Sequence, residues 1–204
     1  MNYRRKLIKY AHLIAAKQLV IGSQGNISLK TNKQILIKAS GVHLKKAREQ
    51  NFISVDICTL TYKHERCRPS CELLMHTLIY RQRPDIKAVI HTHPFYAMLL
   101  ISCSIKPKIL MPEFILQVSK NFAILPFICP GTKKLAQKVA DVARKTNVIY
   151  LKNHGMVVLG ENLEKAFFRT RVCEQMARMQ IFSLLLDKKM IPITKYKLTR
   201  LIKS

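Results

Sequence analysis

The segment Lys87-Ala88-Val89-Ile90-His91-Thr92-His93-Pro94 carries the strongest structural signal in this chain. Its first half is a short apolar run, which predicts a buried β-strand, and two histidines follow at a spacing of two. Because side chains alternate between the two faces of a strand, His91 and His93 should point in the same direction. The pattern therefore predicts two imidazole rings at one end of a strand, placed to share a ligand.

A third histidine occurs in a similar setting, where the apolar run Val148-Ile149-Tyr150-Leu151 leads into Asn153-His154-Gly155. Three neutral imidazoles that leave a fourth position open are typical of a catalytic zinc site rather than a closed structural one. The His-x-His pair alone also fits a sheet edge with two polar residues. The metal hypothesis therefore depends on the rest of the chain.

Hairpins and helices alternate along the sequence. The apolar periodicity predicts helices at about 3–20, 70–82, 132–144 and 163–186, the last capped by Asn162. It predicts strands at about 27–29, 34–37, 53–56, 59–62, 88–93, 123–127, 148–151 and 156–159. This mixture indicates a single α/β domain over residues 1–204 with a largely antiparallel or mixed central sheet flanked by helices. The basic tail beyond about residue 190 is expected to be partly mobile.

Composition excludes several classes of protein. No stretch reaches the 18 or so uninterrupted apolar residues of a membrane span. The six cysteines contain no C-x-x-C pair, which favours reduced thiols in a cytoplasmic protein. The formal net charge of +25 comes from lysines and arginines scattered along the chain, without a nucleic-acid-binding motif. We therefore expect neither a membrane nor a nucleic acid as partner, and interpret the charge as a solvated surface that can also attract an anionic substrate.

Several short motifs occur in a characteristic order: Gly22 to Ser28, Ala39-Ser40-Gly41, Pro69-Ser70-Cys71-Glu72, His91-Thr92-His93-Pro94 and Asn153-His154-Gly155. In this order and spacing the chain resembles the class II aldolase/adducin family, and within it the L-fuculose-phosphate aldolase-like enzymes. The resemblance extends from the first helix to about Leu186. It implies a three-layer α/β fold and a cyclic homotetramer with active sites between subunits.

The resemblance also implies roles for individual residues. His91, His93 and His154 would hold a zinc ion, and Glu72 would serve as the catalytic base. The substrate phosphate would be bound by Asn26, Ser40, Gly41, Ser70 and Cys71. Cys71 departs from the family pattern, which has a second serine there, and a thiol is a weaker hydrogen-bond donor.

A second departure concerns the proton donor to the aldehyde product. Fuculose-phosphate aldolase uses a tyrosine from a neighbouring subunit, whereas the matching segment here is Met111-Pro112-Glu113-Phe114. Glu113 can replace it as an acid or merely begin a helix, and Tyr196 in the tail is a further candidate to cover the site. We expect His76 to be buried rather than a metal ligand, and His12, His43 and His64 to lie on the surface.

These observations predict a metal-dependent aldehyde-lyase that cleaves a ketose 1-phosphate into dihydroxyacetone phosphate and an aldehyde. The same metal site would also suit a sugar-phosphate 4-epimerase, a methylthioribulose-1-phosphate dehydratase or a sugar-acid phosphate decarboxylase. Glu72 argues against those decarboxylases that carry lysine there. The alternative from another class is a non-catalytic protein, either an adducin-like binding module or a basic RNA-associated protein. Such a protein would not require the three histidines and the carboxylate.

Overall fold

The computed structural model of the chain describes residues 2–63, 67–118, 121–188 and 190–193. Within these residues, seven strands form one sheet. The strands are β1 (Asn26–Lys30), β2 (Gln34–Lys38), β3 (Phe52–Asp56), β4 (Ala88–Thr92), β5 (Ala123–Leu125), β6 (Val148–Leu151) and β7 (Gly155–Gly160). Their order across the sheet is β3-β2-β1-β4-β7-β6-β5. Only the β5–β6 pair is parallel among these strands, and the other neighbours are antiparallel.

Six α-helices accompany the sheet in the described part of the chain: α1 (Tyr3–Ala16), α2 (Leu73–Gln82), α3 (Phe95–Ser102), α4 (Pro112–Val118), α5 (Lys133–Ala143) and α6 (Leu163–Leu185). Their starts follow from side-chain capping of backbone amides that have no partner within the helix. The Asn162 side chain accepts a hydrogen bond from the Lys165 amide at 2.8 Å, as the sequence predicted for the last helix. Thr132 caps α5 in the same way through the Leu135 amide.

Helices cover both faces of the sheet, because successive strand residues point to opposite sides. On one face Val89 of β4 packs with Ile79 of α2 and Val139 of α5. On the other face Ile90 packs with Ile14 of α1, and further along this face the sheet meets α3, α4 and α6. The predicted α/β fold with a largely antiparallel, mixed sheet between helical layers is confirmed. Within the described residues no helix combines the length and apolar character needed to cross a membrane.

The sequence interpretation was wrong at one strand. The segment 59–62 is not a strand; Tyr62 makes only an isolated bridge to Val55. The Asp56 carboxylate accepts hydrogen bonds from the amides of Cys58 and Thr59 at 2.8 and 2.9 Å, which closes a turn directly after β3. The first helix is also shorter than predicted and ends at Ala16. Tyr196, His64 and most of the tail lie outside the described residues.

Candidate active site

His91 lies at the centre of the sheet, because β4 is the fourth of the seven strands. Its ring is 1% exposed, and its Nδ1–H donates to the Met156 carbonyl oxygen of β7 at 3.1 Å. A carbonyl can only accept, so this bond fixes the proton on Nδ1 and leaves a lone pair on Nε2. The sheet therefore presents one imidazole nitrogen in the orientation that a metal ligand requires.

His93 and His154 approach His91 from two separate connections. His93 follows the last residue of β4, and its amide donates to the Leu19 carbonyl at 3.0 Å. His154 is in the tight β6–β7 turn, where Asn153 has a φ of 55°. The ring centroids of the three histidines are 4.8 to 5.3 Å apart. One nitrogen from each ring lies within 4.8 Å of the other two, so the three could hold one ion.

Glu72 completes this group at the start of α2. Its side chain is 5% exposed, and its Oε2 atom accepts a hydrogen bond from the Asn26 side-chain amide at 2.8 Å. Oε2 is also 3.2 Å from His91 Nε2, while Oε1 is 3.7 Å from His154 Nε2. Asn26 is the residue paired with His91 across the β1–β4 ladder. The register of the sheet thus places the carboxylate beside the imidazoles.

Burial keeps the three imidazoles neutral. Burial, with a smaller contribution from neighbouring histidines, lowers the pKa of His91 and of His93 to about 3. Burial also lowers the pKa of His154, although the Glu72 carboxylate opposes this effect. The close approach of Glu72 to His91 is therefore not an ion pair at neutral pH. Neutral imidazole is the form that binds a metal.

A divalent cation fits the centre of this cluster. His91 Nε2 lies 3.2 Å from Glu72 Oε2 and 3.0 Å from His93 Nε2, so three atoms that can coordinate a metal ion converge in a buried space. Glu72 Oε1 and His154 Nδ1 are also buried without a hydrogen-bond partner among the described residues. Protonation of the rings is disfavoured by burial, so a cation is the natural compensation. Three imidazole donors suit a transition metal rather than Mg²⁺ or Ca²⁺.

Two loops beside Glu72 form what we call the cradle: Ser40 and Gly41 on one side, Ser70 and Cys71 on the other. The Ser40 amide donates to the Arg68 carbonyl at 2.9 Å, and the Ser70 amide donates to the Lys38 carbonyl at 3.0 Å. These bonds hold the two loops side by side. Ser40, Gly41 and Cys71 are exposed, so their donors are accessible to a ligand.

Lys38 lies beneath the cradle and was not singled out from the sequence. It is 2% exposed, and its ammonium donates to the carbonyls of Ser23 and Val42 at 2.9 and 2.7 Å. Burial lowers its pKa to about 8, an effect opposed by Cys71. The available signal was a lysine at the end of the apolar run Gln34-Ile35-Leu36-Ile37, where alternation places it on the same face as Leu36. Lys38 ties the loop of residues 22–25 to the cradle.

The remaining sequence candidates are not among the converging histidines. Glu113 is exposed on α4 and, within the described part of the chain, makes no hydrogen bond or ion pair with the histidines or Glu72. His76 is buried, as predicted, and its Nδ1 is hydrogen bonded to the Ser28 hydroxyl at 2.7 Å. His12 and His43 are on the surface, as expected.

Comparison with known proteins identifies the family. The family model described as the class II aldolase and adducin N-terminal domain matches residues 5–181. The chain belongs to the class II aldolase and adducin family. The L-fuculose phosphate aldolase of Methanococcus vannielii is 33% identical over 184 residues, which cover 90% of this chain and 98% of that protein. The recognition of the family and the prediction of an enzyme of the lyase class are confirmed.

Other members of this family show how far the likeness extends. A solved structure of L-fuculose 1-phosphate aldolase superposes with a TM-score of 0.88 and 24% identity, covering 98% of this chain and 94% of that one. This match establishes the fold. The 3-oxo-tetronate 4-phosphate decarboxylase of Escherichia coli is 29% identical over 187 residues, or 87% of this chain and 85% of that protein. The family and fold are therefore fixed, whereas relatives of similar identity carry out different reactions.

Proposed function

We propose that this chain is a zinc-dependent aldolase that cleaves a short ketose 1-phosphate of the fuculose type into dihydroxyacetone phosphate and an aldehyde. The observation that carries the proposal is the convergence of His91, His93 and His154 with Glu72 in one buried cluster. Zinc is proposed because three imidazoles with an open fourth position are a common catalytic zinc set. The 33% identity to an L-fuculose phosphate aldolase supports the choice of substrate class.

The three histidines would hold the ion, each through one ring nitrogen. His91 is pre-oriented by its bond to Met156, so little rotamer freedom would be lost on binding. A bound divalent cation supplies a Lewis acid that polarises a ketone carbonyl next to the bond that breaks. The protein supplies the orientation of the ligands and the exclusion of water from them.

Glu72 would move the proton on C3 of the dihydroxyacetone phosphate half. In the cleavage direction it would deliver a proton to the carbon left when the C3–C4 bond breaks, and in condensation it would remove that proton. The Asn26 amide holds Oε2 at 2.8 Å, while Oε1 has no hydrogen-bond partner among the described residues. One carboxylate oxygen is thus positioned and the other is available for proton transfer.

The cradle would bind the phosphate of the substrate, together with Asn26. Hydroxyl and backbone N–H donors at loop ends are well suited to a phosphate, and they include Ser40, Gly41 and Ser70. The buried ammonium of Lys38 adds positive charge beneath these loops. Cys71 would contribute a weaker donor than the serine of the family pattern.

We further propose a homotetramer located in the cytoplasm, in which each active site is completed by a neighbouring subunit. Exposed apolar side chains such as Phe95 and Phe182, at 65% and 45% exposure, support an assembly that covers them. Glu113 of the neighbouring subunit would then accept the C4 hydroxyl proton in cleavage and return it to the aldehyde oxygen in condensation. Light scattering of the purified protein tests the assembly, and a Glu113→Gln variant tests the donor.

A decarboxylase acting on a sugar-acid phosphate is the second candidate, favoured by the 29% identity to 3-oxo-tetronate 4-phosphate decarboxylase. Glu72 argues against it, because a carboxylate beside the metal site repels the carboxylate of such a substrate. An epimerase or a dehydratase would use the same residues. Product analysis after incubation with each class of sugar phosphate separates these reactions.

The decisive experiment measures dihydroxyacetone phosphate released from L-fuculose 1-phosphate by the zinc-loaded protein in a coupled assay. The His93→Ala variant should lose bound zinc and at least 99% of the activity, about 2.7 kcal/mol in the barrier. His12→Ala is the matched control, because His12 is an exposed histidine away from the cluster. Full activity in His93→Ala, or zinc content equal to that of the control, would refute the proposal.

A further inference from the structure

A cavity open to solvent lies at the end of β1 and β4 opposite to the candidate active site. Asn26 and His91 pair at one end of the β1–β4 ladder, and Lys30 and Lys87 follow beyond its other end. Four residues of extended strand separate the two places by about 13 Å. The cavity has a volume of about 990 Å³. We call it the basic cavity, because Lys6, Lys9, Lys30 and Lys87 line it together with the single carboxylate of Glu164.

Like charges are placed directly opposite each other in this cavity. Leu29 pairs with Ala88, and the Lys30 amide donates to the Lys87 carbonyl at 2.7 Å, so Lys30 and Lys87 occupy opposite positions of neighbouring strands. Like charges in directly opposite positions destabilise a sheet, and the Lys30 ammonium is here held by the carbonyls of Tyr80 and Pro84, both at 3.3 Å. Burial and the charge of Lys87 lower the pKa of Lys30, although Asp85 opposes this effect. Asp85 is itself engaged by Arg83 at 2.6 and 2.8 Å.

The first turn of α6 adds to the positive potential. Asn162, Leu163 and Glu164 line the cavity at the start of this 23-residue helix. The N-terminus of a long helix carries a partial positive charge and favours phosphate groups. The cavity has four ammonium groups and a helix N-terminus but only one carboxylate. Its net positive charge is therefore suited to a ligand that carries more than one phosphate group.

An aromatic cavity of about 430 Å³ adjoins the basic cavity, and the two share Lys9, Tyr10 and Glu164. Its remaining lining includes Leu13, Phe167 and Phe168, and Phe168 is 44% exposed. Exposed aromatic rings next to ammonium groups suit a ligand that joins a flat ring to a chain of phosphates. The Glu164 carboxylate, common to both cavities, can accept a hydrogen bond from an amino group on such a ring.

We propose that the basic and aromatic cavities together bind a nucleoside triphosphate, with its phosphates among the four lysines and its base against Phe168. Each of the two volumes is in the range of small-molecule sites. The site is separate from the histidine cluster, so a bound nucleotide would not occupy the place of the sugar phosphate.

Fluorescence anisotropy of a methylanthraniloyl derivative of ATP, displaced by unlabelled ligands from the full-length zinc-loaded protein, tests the proposal. The Lys30→Gln/Lys87→Gln variant should bind ATP about tenfold more weakly. Lys134→Gln/Lys138→Gln is the matched control, because it removes the same charge from exposed positions on α5 and should bind as the unmodified protein does. Equal weakening in both pairs would show nonspecific attraction to a basic protein and would overturn the proposal.

Two further comparisons keep the result decisive. Lys30 donates to the carbonyls of Tyr80 and Pro84, so its replacement can disturb folding. The Lys6→Gln/Lys9→Gln variant changes only the exposed side of α1, and it should weaken ATP binding without disturbing the fold. The Phe168→Ala variant should bind ATP more weakly than the unmodified protein does, whereas its affinity for tripolyphosphate should be unchanged. Tripolyphosphate binding as tight as ATP, or a single-stranded RNA displacing the probe more tightly than ATP, would overturn the nucleoside assignment.

Discussion

Replacing Gly25 with alanine should lower the stability of this enzyme and disturb the position of His91 in the histidine cluster. Gly25 has a φ of 66°, in the left-handed region that favours glycine. A Cβ atom there would be 2.7 Å from the His91 carbonyl oxygen and 2.7 Å from Val20 Cγ1. The first of these atoms is backbone of the central strand, so relief of the clash must shift His91 or the loop of residues 22–25. Gly41 offers a matched control, with a φ of 72° and no atom within 4 Å of a new Cβ.

The comparison separates conformational strain from steric overlap. Both alanine variants incur the left-handed backbone penalty of about 1–2 kcal/mol. Only Gly25→Ala adds overpacking, which typically costs about 1–3 kcal/mol. We therefore expect about 1–2 kcal/mol of destabilisation for Gly41→Ala and about 2–5 kcal/mol for Gly25→Ala.

Urea denaturation followed by circular dichroism of the metal-free proteins measures both values under the same conditions. A zinc titration of the folded variants should also show weaker binding in Gly25→Ala, because the His91 backbone has moved, and unchanged binding in Gly41→Ala. Equal destabilisation of the two variants would refute the claim that the close approach of Gly25 to His91 fixes the metal ligand.

Three further predictions concern the active site. Glu72→Gln should retain bound zinc but lower kcat at least a hundredfold, since an amide cannot exchange the proton, and metal analysis with steady-state kinetics checks both. Burial lowers the pKa of His76, His91 and His93 from 6.5 to about 3, so the unfolded chain binds more protons than the folded chain between these pH values. The free energy of unfolding of the metal-free protein should therefore fall as the pH drops below about 6.5, and a pH-independent free energy of unfolding would contradict this. Cys71→Ser should lower KM for the sugar phosphate about fivefold with kcat unchanged, because a hydroxyl donates a stronger hydrogen bond, and a KM that rises would exclude Cys71 from the phosphate site.

Local patterns in the sequence were sufficient for most of the secondary structure and for the identity of the metal-ligand candidates. The apolar run before His91 and the spacing of His91 and His93 predicted a strand with two imidazoles at its end, and β4 is such a strand. The order of short motifs was specific enough to predict the family. The false strand at 59–62 arose because β-branched and aromatic residues suggest a strand, while the side chain of Asp56 closes a turn there.

Tertiary structure decided which distant residues meet. The pairing of Asn26 with His91 depends on the register of two strands far apart in sequence, and it places the Asn26 amide on Glu72. The opposition of Lys30 and Lys87 depends on the same β1–β4 pairing, so no local pattern predicts it. Strand alternation could have placed Lys38 on the inner face of β2, but only the folded loops supply the Ser23 and Val42 carbonyls that its ammonium contacts. Propensity and periodicity describe neighbours along the chain, whereas strand order and register come from the packing of the whole core. The sequence alone determined which side chains are available for chemistry, and only the folded sheet determined that a carboxylate and three imidazoles share one buried space.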